Sequence, residues 1–227
     1  MEKTEQENIR VRYLKRDSGQ ASKCSYKEAL YSFNLTCERE RIYQKKILKH
    51  FRDKVSEIRF LEIGAGFGYN LHFIARMGIP WANIWANELL DNRIKALEQS
   101  FPTINIIPGD ALDINENLKF DLILISTVYT SILNNELRRN ISEKALNLLE
   151  NGGMILLYDF IYDNPGNKDV KSIKKKDIKS LFNEAAGIEF SSTTLAPPIG
   201  RRIGNSYNII NNLFPFLRSH LIASIYK

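Results

Sequence analysis

The chain has 227 residues, 44% of them hydrophobic and 26% charged, which is the composition of a soluble globular protein with one domain of good size. Its first residues contain no apolar signal core, and no apolar run approaches the length of a membrane span, so we expect a cytoplasmic protein. The net charge of +6 permits an anionic or nucleic-acid partner without requiring one, because a chain rich in Lys, Ile and Asn acquires such a charge through composition alone.

Two segments precede the first predicted strand. Residues 1–25 are polar and charged, and we expect a loose arm or a short helix there. Residues 26–51 place apolar side chains at helical spacing, among them Leu30, Phe33 and Ile47. This pattern predicts a helical N-terminal extension.

The stretch from Arg59 to Leu71 organises the rest of the chain. An apolar run over 58–63 predicts a short buried strand, and a helical pattern follows the turn after it. The turn carries glycines at alternate positions, Gly64, Gly66 and Gly68. A strand, a glycine turn and a helix start together allow a ligand to approach the backbone closely, although an ordinary strand–helix corner has the same pattern.

The spacing of these glycines argues against a dinucleotide site. The dinucleotide fingerprint G-x-G-x-x-G requires a glycine where this chain has Tyr69. The strand also carries Glu62, whose carboxylate would repel a pyrophosphate and attract a cationic or amino-bearing ligand.

Strands and helices alternate after this turn. Apolar runs predict further strands over 83–87, 104–108, 120–125 and 154–158, with helices over 90–101 and 134–149 between them. This alternation predicts an α/β protein with a doubly wound, mostly parallel sheet. The last third differs, with a basic helix over 173–186, a strand over 188–195, a loop over 196–202, a short helix over 207–214 and a final strand over 221–226.

The segment Glu62-Ile-Gly-Ala-Gly-Phe-Gly68 resembles motif I of the class I S-adenosylmethionine-dependent methyltransferases. This resemblance implies a Rossmann-like, seven-stranded sheet whose antiparallel last strand inserts beside its predecessor. It implies S-adenosylmethionine as cofactor and S-adenosylhomocysteine as product, held by Glu62, Gly64, Ala65, Gly66 and Gly68. It also implies one domain over 1–227, in which residues 1–51 form a helical lid or extension and residues 52–227 form the catalytic core.

Two more carboxylates follow predicted strands. Glu88, beside Leu89, ends the second strand, where an acid faces the glycine turn and accepts bonds from ribose hydroxyls. By resemblance, Asp110 accepts the adenine amino group, the backbone of Ala111 reaches a ring nitrogen, and Ser126 contacts the methionine end. Carboxylates at the carboxyl ends of consecutive strands indicate one ligand site, because ligands of open α/β sheets bind at that edge.

The acceptor residues are predicted less directly. By resemblance, the loop with Tyr129 faces the acceptor, and Tyr26 belongs to a lid. Segments 158–167, 194–201 and 218–220 resemble bacterial methyltransferases of cell-surface glycan or secondary-metabolite synthesis. Asp159 and His220 are the candidate general bases, and Asn164 and Arg201 are candidates for binding sugar hydroxyls or a phosphate. Loop capping, exposed charge and a buried structural histidine are the alternatives.

These features predict a methyltransferase that O-methylates a small molecule or a cell-surface glycan precursor. The alternatives are N-methylation, methylation of RNA, and a cofactor-binding protein without turnover. The basic run 168–179 lacks interleaved aromatics, which favours a solvated helix face over a nucleic-acid surface. The two cysteines and three histidines lack metal-ligand spacing, so no metal is expected.

Overall fold

One seven-stranded sheet forms the centre of the molecule, whose computed structural model describes residues 4–17, 25–163 and 166–227. The strand order is β3-β2-β1-β4-β5-β7-β6. The five strands β1 to β5 are joined by parallel pairing, and β7 runs antiparallel to both of its neighbours, β5 and β6. The strands are β1 (Phe60–Ile63), β2 (Ile84–Glu88), β3 (Asn105–Pro108), β4 (Phe120–Ser126), β5 (Leu149–Phe160), β6 (Gly187–Leu195) and β7 (Arg218–Tyr226). The predicted doubly wound sheet, with its last strand inserted beside β6, is confirmed.

Helices cover both faces of the sheet. They are α1 (Glu5–Asp17), α2 (Tyr26–Phe51), α3 (Tyr69–Arg76), α4 (Asp91–Ser100), α5 (Asn135–Leu148), α6 (Lys175–Leu181), α7 (Pro197–Ile203) and α8 (Tyr207–Leu213). Apolar residues of α5 and α6 pack on the sheet face that carries Leu61 and Ile63. Apolar residues of α2, α3 and α4 pack on the opposite face, which carries Phe60. Because both faces are buried, the central strands are continuous apolar runs rather than alternating ones.

Three C-terminal elements differ from the sequence prediction. β5 begins at Leu149, because a register irregularity lets residues around Gly152 join the strand; Gly152 has φ +78°. The predicted loop over 196–202 is largely α7, whose prolines lie in the first turn, where a missing N–H costs no helical bond. The basic helix is only seven residues long.

Helix α2 is anchored to the C-terminal part of the chain. Ser25 and Glu28 form a capping box at its N-terminus. The Tyr31 hydroxyl donates to the Leu195 carbonyl over 2.8 Å, and the Glu38 carboxylate accepts from the Tyr207 hydroxyl over 2.7 Å. These bonds hold α2 against β6, α7 and α8.

Helix α1 lies over the loop that follows β4. The Leu133 N–H donates to Glu5 over 2.9 Å, and an Arg12 N–H donates to the Ser131 carbonyl over 3.0 Å. The Tyr13 and Ser131 hydroxyls are 2.7 Å apart. In the segment over 1–25, predicted as a loose arm or short helix, the described residues Glu5–Asp17 form a helix that is held by long-range polar contacts.

Gly68 of the glycine turn packs closely against the side chain of Phe101. A Cβ at this position would lie 2.5 Å from Phe101 Cε2, at a φ of +78°. We expect Gly68→Ala to lower the free energy of unfolding by about 2–5 kcal/mol, from overpacking together with left-handed strain. Gly78 is the matched control, because its φ is +97° and a Cβ added there would meet no neighbouring atom within 4 Å. Gly78→Ala should cost only about 1–2 kcal/mol in denaturant unfolding; equal losses would contradict the packing argument.

Candidate functional site

A cavity of about 460 Å³ opens at the carboxyl ends of β1 to β4. This volume lies within the range of small-molecule sites. Its wall combines the glycine turn, the ends of β2, β3 and β4, and residues of α1. Of the ten residues predicted to hold a cofactor, nine line it: Glu62, Gly64, Ala65, Gly66, Glu88, Leu89, Asp110, Ala111 and Ser126.

The glycine turn is held by the neighbouring strand and loop. The Ala65 N–H donates to the Asn87 carbonyl over 2.9 Å. Gly64 has φ +71°, and a Cβ on it would lie 2.7 Å from Val128 Cγ2. Only glycine fits this position without displacing the loop after β4, so the backbone itself forms this wall. Gly68 does not line the cavity, because it packs behind the turn against Phe101.

Glu88 is oriented by backbone donors. Its Oε1 accepts from the N–H groups of Leu89 and Leu90, over 2.9 and 3.0 Å. Its Oε2 accepts from the Gly66 N–H over 2.7 Å. A carboxylate has about four lone-pair sites. Glu88 thus fixes the glycine turn and keeps capacity for a ligand hydroxyl.

Asp110 closes another side of the cavity. Its Oδ1 accepts from the Leu112 N–H over 3.0 Å, and its Oδ2 accepts from Gln6 Nε2 over 3.0 Å. Gln6 was not predicted from the sequence, because the contact joins residues 104 positions apart and α1 has no motif. Together with Ile9, Gln6 makes α1 part of the cavity wall.

Glu62 is buried at the centre of the site with one oxygen unused. Its side chain is 1% exposed. Oε1 accepts from Asn70 Nδ2 over 2.6 Å, whereas Oε2 has no hydrogen-bond partner among the described residues. Burial raises the pKa of Glu62 from its ordinary value of 4.5 to about 8, against the opposing effects of the Asn70 bond and the Arg39 charge. A buried acceptor left unsatisfied is costly unless a ligand donates to it.

Arg39 of α2 lines the same part of the cavity. Its Nη2 donates to Asn70 Oδ1 over 3.2 Å, and its guanidinium lies 5.1 Å from the centre of the Tyr158 ring. Its buried Nε has no hydrogen-bond partner among the described residues. Arg39 was not predicted from the sequence, although one signal was present: it lies four and eight residues before the buried Tyr43 and Ile47, on the apolar stripe of α2.

Asp159 does not line the cavity. It is fully buried, and its carboxylate accepts from the Thr130 hydroxyl over 2.6 Å, the Thr130 N–H over 3.1 Å and the Phe160 N–H over 3.0 Å. Burial raises the pKa of Asp159 to about 6. These contacts make Asp159 an anchor for the loop after β4, of which Thr130 reaches the cavity.

Tyr129 and His220 also point elsewhere. The Tyr129 hydroxyl is 2.7 Å from Ser142 Oγ, inside the core beneath α5. The His220 ring stacks on Tyr158 with centroids 5.0 Å apart, and burial lowers its pKa to about 3, so the ring is neutral near pH 7. Both side chains are occupied by packing contacts, and neither lines the cavity.

The predicted acceptor residues are not brought together. Tyr26 and Arg201 are exposed, on α2 and α7, and neither lines the cavity, because the anchoring of α2 to β6 and α7 directs them to the surface. Asn164 lies outside the described residues. A role for these three residues in acceptor binding stays a prediction.

A substitution separates the two roles of Asp159. If Asp159 anchors the loop after β4, Asp159→Asn should lower the free energy of unfolding by about 1–3 kcal/mol. The reason is that an amide nitrogen cannot accept one of the two hydrogen bonds that Thr130 donates. We expect the methyl transfer that the sequence predicts, measured per folded molecule, to change less than threefold. If Asp159 were instead the general base, Asp159→Asn would lower kcat by about 100-fold or more. Denaturant unfolding and initial rates on the same preparation distinguish the two.

Several solved methyltransferases share this fold. Magnesium protoporphyrin IX methyltransferase from Synechocystis PCC 6803, solved with bound S-adenosylhomocysteine, has a TM-score of 0.66 and 10% identity over 99% of this chain and 100% of its own. The glycopeptide N-methyltransferase MtfA, also complexed with S-adenosylhomocysteine, has a TM-score of 0.56 and 14% identity. The match covers 83% of this chain and 89% of MtfA. A methyltransferase from Archaeoglobus fulgidus that depends on S-adenosylmethionine has a TM-score of 0.53 and 16% identity. The match covers 86% of this chain and 99% of that protein.

These likenesses define the class of fold. The chain has the Rossmann-like fold of the class I S-adenosylmethionine-dependent methyltransferases, as the resemblance of its glycine motif implied. No protein-family model matches the sequence, and no curated protein matches it. At these identities the comparisons establish the architecture, so the activity is argued from the site.

No helix in the described ranges combines the length and apolarity needed to cross a membrane. Within those ranges, no three His, Cys, Asp or Glu side chains are grouped so that they could hold a metal ion.

Proposed function

We propose that this protein binds S-adenosylmethionine in the cavity and transfers its methyl group, releasing S-adenosylhomocysteine. The main support is that two buried polar atoms near the end of β1, Glu62 Oε2 and Arg39 Nε, have no hydrogen-bond partner among the described residues. Glu62 offers a buried acceptor, and Arg39 offers a buried donor and a positive charge. An α-amino acid has the matching ammonium and carboxylate groups, and charge-assisted bonds of this kind are strong. Asn70 bonds to both side chains and sets their spacing.

The rest of the cavity suits a nucleoside. Glu88 has capacity for a ribose hydroxyl, and Leu89 lies beside it on the wall. Asp110, with the Ala111 backbone, is positioned at the end of β3 for the adenine edge. Because Gln6 occupies Asp110 Oδ2, adenine binding requires Gln6 to share or release that oxygen. We therefore assign residues 1–51 to a covering extension and residues 52–227 to the core, with α1 as the covering element.

The end of β4 forms the floor beneath the methyl group. When bound, S-adenosylmethionine supplies an already activated methyl, so the chain mainly positions the reactants and excludes water. Ser126 and Thr127 line this part of the cavity. Thr127 has φ +56°, which is strained for a β-branched residue. The bonds of Thr127 N–H to the Tyr158 carbonyl, 2.8 Å, and of its hydroxyl to the Ser126 carbonyl, 2.7 Å, hold it there.

For the acceptor we propose a hydroxyl of a small molecule or glycan precursor. The cavity, which also holds the proposed cofactor, has a wall beyond Ser126 that includes Thr130, Phe160 and Val170, and a small acceptor would contact the protein there. N-methylation is the second candidate, because one structural neighbour is a glycopeptide N-methyltransferase.

The first experiment compares ligands by titration calorimetry. We expect S-adenosylmethionine and S-adenosylhomocysteine to bind with micromolar or tighter affinity and NAD not to bind. Labelled methyl transfer to fractions of cell extract, followed by mass spectrometry of the product, then identifies the acceptor atom. Binding of NAD alone would overturn the cofactor assignment. Binding of S-adenosylmethionine without turnover on any fraction would favour a cofactor-binding protein, and salt-sensitive RNA binding would favour an RNA substrate.

A further inference from the structure

Helix α8 and the turn after it expose an unusual row of large apolar side chains. Ile209, Leu213 and Phe216 are 62%, 66% and 72% exposed, and Phe214 contacts Phe216 edge-on at 5.9 Å. We call these four residues the α8 ridge. Ile209 and Leu213 are four residues apart and lie on one side of α8, and Phe214 and Phe216 follow directly after the end of the helix. Large apolar side chains exposed within a few residues of one another are a feature of interaction sites.

The inward side of α8 is anchored by polar bonds, whereas Asn208 and Asn212 of the same helix are exposed. Asn211 is buried and donates to Glu38 over 2.8 Å, while its oxygen accepts from Arg218 Nε over 3.0 Å. The orientation of α8 is therefore set by specific buried polar bonds. The ridge faces solvent as a result of that anchoring, and not through loose packing.

A basic groove runs beside the ridge. It encloses about 1,270 Å³ between α8, which contributes Asn208 and Asn212, and a side of α2 with four cations, Arg41, Lys45, Lys46 and Lys49. Glu189 offsets part of this charge, at 3.5 Å from Lys46 and 4.0 Å from Lys49. Arg41 and Lys45 form no ion pair with any residue in the described ranges. The groove thus keeps positive charge available to a partner.

We propose that the α8 ridge and the basic groove together dock the protein on an anionic lipid membrane surface. Apolar side chains beside a row of cations match the boundary between acyl chains and phosphate headgroups. Lipid accepts protruding side chains without a preformed pocket, whereas a protein partner has to provide one. A second copy is disfavoured, because a two-fold interface opposes identical patches and brings the two cationic grooves together. Four side chains also fall short of the roughly 800 Å² per partner of a stable interface.

The test is vesicle co-sedimentation of the full chain. Vesicles of phosphatidylcholine with phosphatidylglycerol should bind the protein, and binding should weaken in high salt; phosphatidylcholine alone should bind it poorly. Leu213→Ser with Phe216→Ser should lower the partition coefficient at least about tenfold. Arg41→Glu with Lys45→Glu should lower it similarly on anionic vesicles and remove the salt dependence. Tyr162→Ser is the matched control, since Tyr162 is 62% exposed outside the ridge and groove.

Thermal unfolding of every variant verifies that the fold is intact; the exposed positions make this the expected result. Lack of vesicle binding by the wild-type chain would overturn the proposal. So would equal losses for Tyr162→Ser and the ridge variant. A dimer in sedimentation velocity that the ridge substitutions dissociate would instead assign the ridge to self-association. Capture of an acidic protein with no lipid binding would assign it to a protein partner.

Discussion

Replacing Glu62 by Gln is expected to lower the affinity for S-adenosylmethionine by roughly 10- to 150-fold, the value of a charge-assisted hydrogen bond in a buried site. Gln keeps an oxygen for the Asn70 amide but removes the negative charge opposite a ligand ammonium. Titration calorimetry of the two proteins measures the change.

A truncated ligand provides the control. 5′-Methylthioadenosine contains the nucleoside and the sulfur but no amino-acid group, so its affinity should change less than threefold in Glu62→Gln. Arg39→Met should show the same selectivity, because the Arg39 guanidinium faces the same end of the cavity. Equal loss for both ligands would show that Glu62 shapes the whole cavity and does not bind the ammonium.

The raised pKa of Glu62 adds a pH signature to this prediction. Near pH 7 the carboxyl of the free protein is mostly protonated, since its pKa is about 8. Binding of a cationic ammonium favours the ionised form, so the complex should release protons, seen as a dependence of the calorimetric heat on buffer ionisation enthalpy. Glu62→Gln should abolish that release.

Glu62→Gln should lower the affinity for the cofactor but raise the stability of the free protein at high pH. The folded pKa of Glu62 exceeds its ordinary value of 4.5, so this group favours the folded state most below that pH, and the contribution is lost as pH rises through about 8. We therefore expect Glu62→Gln to be more stable than the wild type at pH 9 without ligand. A lower melting temperature at pH 9 would contradict the assigned burial of the charge.

The second large effect is expected for Glu88→Ala, which should weaken both S-adenosylmethionine and 5′-methylthioadenosine by more than about 100-fold. The substitution removes a ribose acceptor and also three backbone bonds, to Gly66, Leu89 and Leu90. Each such bond contributes about 1 kcal/mol, or more to a charged acceptor, so the glycine turn should loosen as well.

Asp91 is the matched control for Glu88. It starts α4 just after β2, its side chain is 84% exposed, and its contact with Arg10 is a loose 3.8 Å. Asp91→Ala should leave both affinities unchanged within about twofold, because exposed ion pairs contribute little. Retention of full affinity in Glu88→Ala would remove the main support for the nucleoside assignment.

The parallel sheet and most of the cavity wall were predictable from sequence patterns and motifs. Glu62, Glu88 and Asp110 lie at or just beyond the ends of strands that pair in parallel, and parallel pairing aligns those ends at one edge. The left-handed glycines after β1 likewise act locally. Positions that depend on a strand and its own turn were therefore predictable.

The side chains that reach the cavity from the N-terminal helices depend on tertiary packing. Arg39 reaches the cavity because α2 packs on one face of the sheet, and Gln6 reaches it because α1 lies over the loop after β4; no local pattern specifies those contacts. Tertiary packing also places Asp159 and His220 in buried contacts away from the cavity, and it leaves Tyr26 exposed. The alternation of strands and helices follows from short-range pattern, whereas the position and rotation of a covering helix depend on contacts between distant residues, such as that between Gln6 and Asp110, which are 104 residues apart.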